Sequence, residues 1–159
     1  MVTPASCHLS RSPHMSAPES DGACEFCNIA HGNAPAHVIF ESRYVIAFLD
    51  ILPSRRGHVL IVPKDHYPLL SQLPDDMARE MGSALALVSR AMTEALGNEA
   101  FTVTLNQVYA QIIPHVHFHV VPAPDFRAGS LSKLKPFAPR QELDDEDAEV
   151  LVREIKARL

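Results

Sequence analysis

The sequence predicts an α+β fold: a mainly antiparallel sheet of about five strands, one long central helix and a C-terminal helix. Three observations predict it. Five segments rich in β-branched and aromatic residues read as strands. They come as a run of three and a run of two, and the short Ser-Arg-Tyr link at 42–44 fits a hairpin. Only one long helical segment, 74–96, stands between strands, whereas parallel strands need a crossover at each step. At 159 residues the chain is sized for one domain and can bury roughly 68–70% of its unfolded surface, so it needs no disulfides to hold a core.

The elements follow in order. Residues 1–22 hold Ser, Pro, Ala and Gly without periodicity and read as a disordered extension; 23–159 read as the folded domain. Met15 offers an alternative start. The extension has no apolar stretch of a secretory signal, and its single Arg11 argues against a mitochondrial presequence. CEFCNIAHG (24–32) reads as a knuckle followed by a short helical turn. VIFE (38–41) and YVIAFLD (44–50) read as paired strands, and GHVLIVP (57–63) as a strand buried on both faces. In 74–96, Met77, Met81, Ala84, Leu85, Val88, Met92, Ala95 and Leu96 share one helical face, with Asp75 and Asp76 at the start and Gly97 at the stop. FTVTL (101–105) and HVHFHVVP (115–122) read as strands, 123–141 as a loop, and 142–159 as a helix with acids first and bases last.

Composition excludes several classes of function. Apolar runs such as Val59–Val62 are far too short to span a bilayer. A net charge of −5 disfavours broad electrostatic binding of nucleic acid. Three Cys are too few for a disulfide scaffold and fit a reducing compartment, so a cytoplasmic address is expected, with the nucleus also open.

The nine His carry the functional signal. In HVHFHVV, His115, His117 and His119 are two apart, so a strand turns all three imidazoles to one face and Val116, Phe118 and Val120 to the other. Imidazole titrates near neutrality, so this face combines nucleophile, acid/base and metal-ligand capacity. Taken alone, the spacing also fits an adventitious metal grip or a pH-sensing face. Cys24 and Cys27 form a CxxC that alone reads as either a redox pair or half of a metal site.

CEFC, AFLDILP, GHVLIVPKDHY and the Gln111-to-Pro122 segment QIIPHVHFHVVP stand in a definite order. Together they resemble the histidine triad (HIT) family, over roughly residues 24–122, and its Hint-like branch of purine nucleoside phosphoramidases most of all. The resemblance implies a HIT-like fold and cleavage of purine nucleoside 5′-phosphoramidates through a nucleotidyl-histidine intermediate. It makes His117 the nucleophile, has His119 hold or protonate phosphate oxygens and the leaving group, and has Gln111 offer its amide to the phosphate. Asp50 is implied as the ribose-binding acid, although without the resemblance a strand-ending turn is the better account, and Asn106 as a phosphate-loop residue. Phe26, Ile29, Phe48 and Ile51 match the apolar positions of the purine slot, and core packing accounts for each one alone. Cys24, Cys27, His66 and His115 are implied as a structural zinc site. No organic cofactor is implied. His58 reads as structural, and His8, His14, His31 and His37 receive no role.

The resemblance further implies a two-fold dimer through the central helix and a sheet edge, a purine nucleotide as the ligand, and no nucleic-acid or membrane partner. One segment departs from the family. LNQVYAQ (105–111) is shorter than the usual phosphate loop and has no Gly, the residue that lets backbone N–H groups approach phosphate. Two alternatives therefore stand beside the phosphoramidase: a dinucleoside polyphosphate hydrolase, and a nucleotide-binding adaptor with little turnover. A purely structural zinc module is a fourth.

Overall fold

Strands β2 (Val45–Leu49) and β3 (Val59–Pro63) are buried at every residue, as continuous apolar runs require. In this computed structural model, which describes residues 24–123 and 141–159, they form the centre of a five-stranded sheet. The order is β1-β2-β3-β5-β4, with β1 at Val38–Glu41, β4 at Phe101–Thr104 and β5 at Phe118–Pro122. Every pairing is antiparallel. The expected hairpin joins β1 to β2, and the Ser42 hydroxyl accepts from the Tyr44 and Val45 N–H groups in its turn.

One face of the sheet carries the main core. Helix α2 (Asp75–Leu96) lays Met77, Met81, Ala84, Val88, Ala91 and Met92 on it, and Gly97 ends the helix in the left-handed conformation that favours glycine. Helix α3 (Asp145–Lys156) adds Ala148, Leu151 and Ile155, packs against β1 and α2, and is capped by the Asp144 carboxylate on the Asp147 N–H. The other face carries a smaller cluster. There the short helix α1 (Glu25–Ala30) brings Cys24, Phe26 and Cys27 against Ile46, Phe48, Leu60 and Val62. No helix among the described residues is long and apolar enough to cross a membrane.

One expected boundary is corrected. The histidine strand, predicted over 115–122, pairs only from Phe118. Ile61 pairs with Phe118, so Val116 would next face Pro63, which has no N–H to give the ladder. The Val116 N–H instead donates to the Tyr67 carbonyl at 2.7 Å, and His115–His117 run on beyond the sheet. The N-terminal extension and the loop bearing Arg127, Lys133, Lys135 and Arg140 lie outside the described residues.

Candidate active site

The expected alternation survives the shorter strand. Val116 and Val120 point into the main core, while the three imidazoles share the opposite face with Phe26. Phe26 meets His117 edge-on at 5.0 Å between centroids and His115 at 5.9 Å, and His119 lies 4.7 Å from His117.

Each ring is fixed by what its nitrogens touch. His117 donates its Nδ1–H to the carbonyl of His115 at 2.6 Å, which leaves Nε2 as the lone-pair nitrogen. Burial lowers its pKa below the ordinary value, so the ring stays neutral near pH 7. His115 is fully buried and donates Nε2–H to the Pro63 carbonyl at 2.9 Å. Its Nδ1 lone pair therefore faces Cys24 Sγ at 3.3 Å and Cys27 Sγ at 3.6 Å. His66 Nδ1 lies 3.4 Å from Cys27 Sγ.

The expected set of Cys24, Cys27, His66 and His115 is thus brought together, with one ligand atom from each within 4.8 Å of all the others. Tetrahedral zinc holds neighbouring N and S ligands roughly 3.5 Å apart, given its ordinary bond lengths. The donor set and its spacing fit such an ion, and the Pro63 carbonyl supplies the second partner that orients a ligating imidazole.

A second chain runs from Asp50 through His58 to His119. Asp50 Oδ2 lies 3.1 Å from His58 Nδ1, and His58 Nε2 lies 2.9 Å from His119 Nδ1. The Ser54 N–H is aimed at the same nitrogen at 3.2 Å and would need a lone pair there, so the two contacts exclude one another. The charged carboxylate is the stronger partner, so we place the proton on Nδ1, donated to Asp50, with His119 Nδ1–H donated to His58 Nε2. His58, read from sequence as structural, is a link in this chain. No periodicity marks it, because its role arises only where the end of β2 meets the start of β3.

Other expectations shift. Gln111 Nε2 donates one N–H to the His115 carbonyl at 3.3 Å and Oε1 accepts from the Val108 N–H at 2.9 Å, and the amide carries a second N–H. Asp50 makes the turn contact as well, since Oδ1 accepts from the Leu52 N–H. Asn106 is half-buried beyond β4, and the contact from that end of the loop comes from Gln107, whose Oε1 accepts from the Leu70 N–H. Of the purine-slot residues, Phe26 and Phe48 are buried in edge-to-face contact at 5.7 Å, Ile29 is half-buried, and Ile51 is 65% exposed beside Asp50. Phe48 therefore packs as core. The glycine-free loop takes left-handed φ at Val108 (63°) and Ala110 (55°).

The HIT domain family model matches residues 31–125, more than half of the chain. The chain belongs to the HIT family. Adenosine 5′-monophosphoramidase HNT1 of Saccharomyces cerevisiae is 34% identical over 148 residues, covering 91% of this chain and 89% of the yeast protein. Adenylylsulfatase HINT3 of Arabidopsis thaliana is 37% identical over 101 residues, covering 62% of this chain and 51% of that protein. A crystal structure of a Zn-bound histidine triad family protein from Mycobacterium smegmatis superposes with a TM-score of 0.70 at 30% identity, covering 86% of this chain and 95% of that one. The antiparallel sheet with its flanking helices is the HIT fold.

Proposed function

We propose that this HIT protein is a nucleotidyl hydrolase that cleaves the P–N bond of purine nucleoside 5′-phosphoramidates. The observation that carries the proposal is the 2.6 Å bond from His117 Nδ1 to the His115 carbonyl, which leaves Nε2 of a buried, neutral imidazole as the nucleophilic atom. In the first step Nε2 attacks the α-phosphorus, the P–N bond to the leaving amine breaks, and the amine takes its proton from His119. In the second step water adds to phosphorus, its proton passes to His119, the bond to Nε2 breaks, and the nucleoside monophosphate leaves. Asp50 and His58 stabilise the charged form of His119 through both steps. Phe26, Ile29 and Ile51 border the base, and Asp50 also meets the ribose. The yeast relative's activity supports the P–N bond as the target.

Zinc fits the Cys24, Cys27, His66 and His115 donors, and the Zn-bound mycobacterial relative supports that ion. With four protein ligands it would have no open position, so its contribution is to hold structure.

The test is adenosine 5′-phosphoramidate hydrolysis by the wild type and by His117→Ala, with a dinucleoside polyphosphate alongside. AMP release lost in the variant is the expected result. Faster cleavage of the dinucleotide moves the assignment to polyphosphate hydrolysis. Absence of turnover with AMP still bound overturns the enzyme reading in favour of an adaptor.

A further inference from the structure

His115 faces two sites at once. Its side chain belongs to the Cys/His cluster, and its main-chain carbonyl receives the Nδ1–H of His117 at 2.6 Å and the Gln111 amide at 3.3 Å. The sheet does not hold that carbonyl in place. Regular pairing starts only at Phe118, because Pro63 cannot continue the ladder. Upstream of it, the backbone is held by the His115 N–H on the Ile113 carbonyl at 2.8 Å and the Val116 N–H on Tyr67. The remaining anchors of His115 are on its ring: Nε2–H on Pro63, and Nδ1 toward the two sulfurs.

Those two ring contacts differ in strength. The Pro63 bond is an ordinary neutral hydrogen bond. Among the described residues the Nδ1 side faces two thiols, which are weak donors, and the His66 ring, unless a metal ion draws the four ligands together. A bound ion would tie Nδ1 by coordination to a centre that would also hold α1 through Cys24 and Cys27 and the segment after β3 through His66.

We infer that the metal cluster is a positioning device for the nucleophile: by fixing the His115 ring it fixes the His115 carbonyl, which selects the Nδ1–H tautomer of His117 and aims Nε2. Cys24, Cys27 and His66 are on this view positioning residues for the reaction as well as staples of the fold. The inference rests on the zinc reading above, and its primary readout does not depend on turnover.

The experiment compares the full chain loaded with zinc, the same chain stripped by a chelator, the chain reloaded with cadmium, and His66→Ala. Zinc content is measured by native mass spectrometry and folding by circular dichroism. The readout is the ¹⁵N NMR spectrum of the His117 ring, with AMP release measured in parallel. The zinc form is expected to show a single Nδ1–H tautomer. The stripped form and His66→Ala are expected to show mixed tautomers and a kcat lowered about tenfold or more, with AMP affinity little changed, as for loss of an orienting partner. Cadmium, with longer bonds, keeps the chain folded and shifts the His117 resonances, which decides the matter if stripping unfolds the protein. Unchanged His117 resonances across all four forms would overturn the inference. A chain that takes up no zinc overturns the zinc reading and this one with it. A tautomer change without phosphoramidate hydrolysis in any form leaves the positioning intact and sinks the proposed activity alone.

Discussion

His117 and His115 are joined by a side-chain-to-backbone bond of 2.6 Å within one segment, so the tautomer of His117, the proposed nucleophile, is set by the residue two positions before it. Both residues are buried, and burial disfavours the imidazolium, so with Nδ1–H held by the carbonyl the second proton is kept off Nε2.

That burial has a pH signature. Burial lowers the His115 pKa to about 4 against an ordinary value of 6.5, and lowers that of His117 as well. Between those values the unfolded chain binds more protons than the native one, so stability rises with pH across the window. Metal-free protein should therefore lose stability as pH falls from about 6.5 toward 4, by roughly 3 kcal/mol from His115. Urea unfolding in chelator at pH 7 and pH 4.5 measures the loss. His115→Leu should flatten it, and an equally steep loss in that variant would show that other groups are responsible.

The acid limb of kcat/KM follows from the same cause. The proposed nucleophilic attack needs a neutral His117, and burial lowers its pKa from the ordinary 6.5. The acid limb of phosphoramidate hydrolysis should therefore lie below 6.5. A limb at or above that value would mean that His117 is not the group being titrated.

Asp50 has two candidate duties, ribose recognition and orientation of His58, and they separate experimentally. Its Oδ2 is already 3.1 Å from His58 and its Oδ1 accepts from Leu52. If the chain to His119 is its main duty, Asp50→Asn lowers kcat on ribo- and 2′-deoxyribo-substrates alike, by about 10- to 100-fold on the scale of a lost acid–base orienter. His58→Asn should do the same. An Asp50→Asn enzyme that only loses its preference for the ribonucleotide would assign the residue to the sugar.

Much of this was legible in the sequence because it depends on local period. Alternation placed Val116 and Val120 in the core and the imidazoles opposite, and the 3.6 spacing found the buried face of α2. What escaped depends on register between strands. Pro63 stops the β3–β5 ladder only because it falls opposite Val116, and His58 meets Asp50 only because Leu49 pairs with Val59. The inward turn of the Gln111 amide follows from a short loop folding back on itself, which no spacing rule reveals.

The outer sheet edge predicts assembly. β1 is flanked by α3, but among the described residues β4 ends the sheet, with Thr102, Val103 and Thr104 exposed and Val103 at 46%. An uncharged edge strand invites pairing with a second copy. We expect a dimer by light scattering, and a monomer for Val103→Lys. A monomeric wild type at micromolar concentration would remove this reading.

The phosphate-side loop carries strain that glycine would relieve. Val108 has φ 63° in a tight turn closed by the Tyr109 N–H on the Gln107 carbonyl at 2.6 Å, and a β-branched residue is a poor occupant of that region. Neither side chain at the tip is compensated by burial, since Val108 is 78% exposed and Tyr109 87%. Left-handed backbone costs a non-glycine residue about 1–2 kcal/mol, while glycine gives back about 0.5–1 through the freedom of the unfolded chain. Val108→Gly should therefore stabilise the protein by about 0.5–1 kcal/mol, a rise of about 1–4 °C in Tm for a chain of this size. Ala110→Gly, at φ 55° without the branched side chain, should gain less. Differential scanning calorimetry of the two variants tests the order. A fall in Tm for Val108→Gly would mean that the Val108 side chain makes a stabilising contact, such as one across a dimer interface, that outweighs its backbone strain.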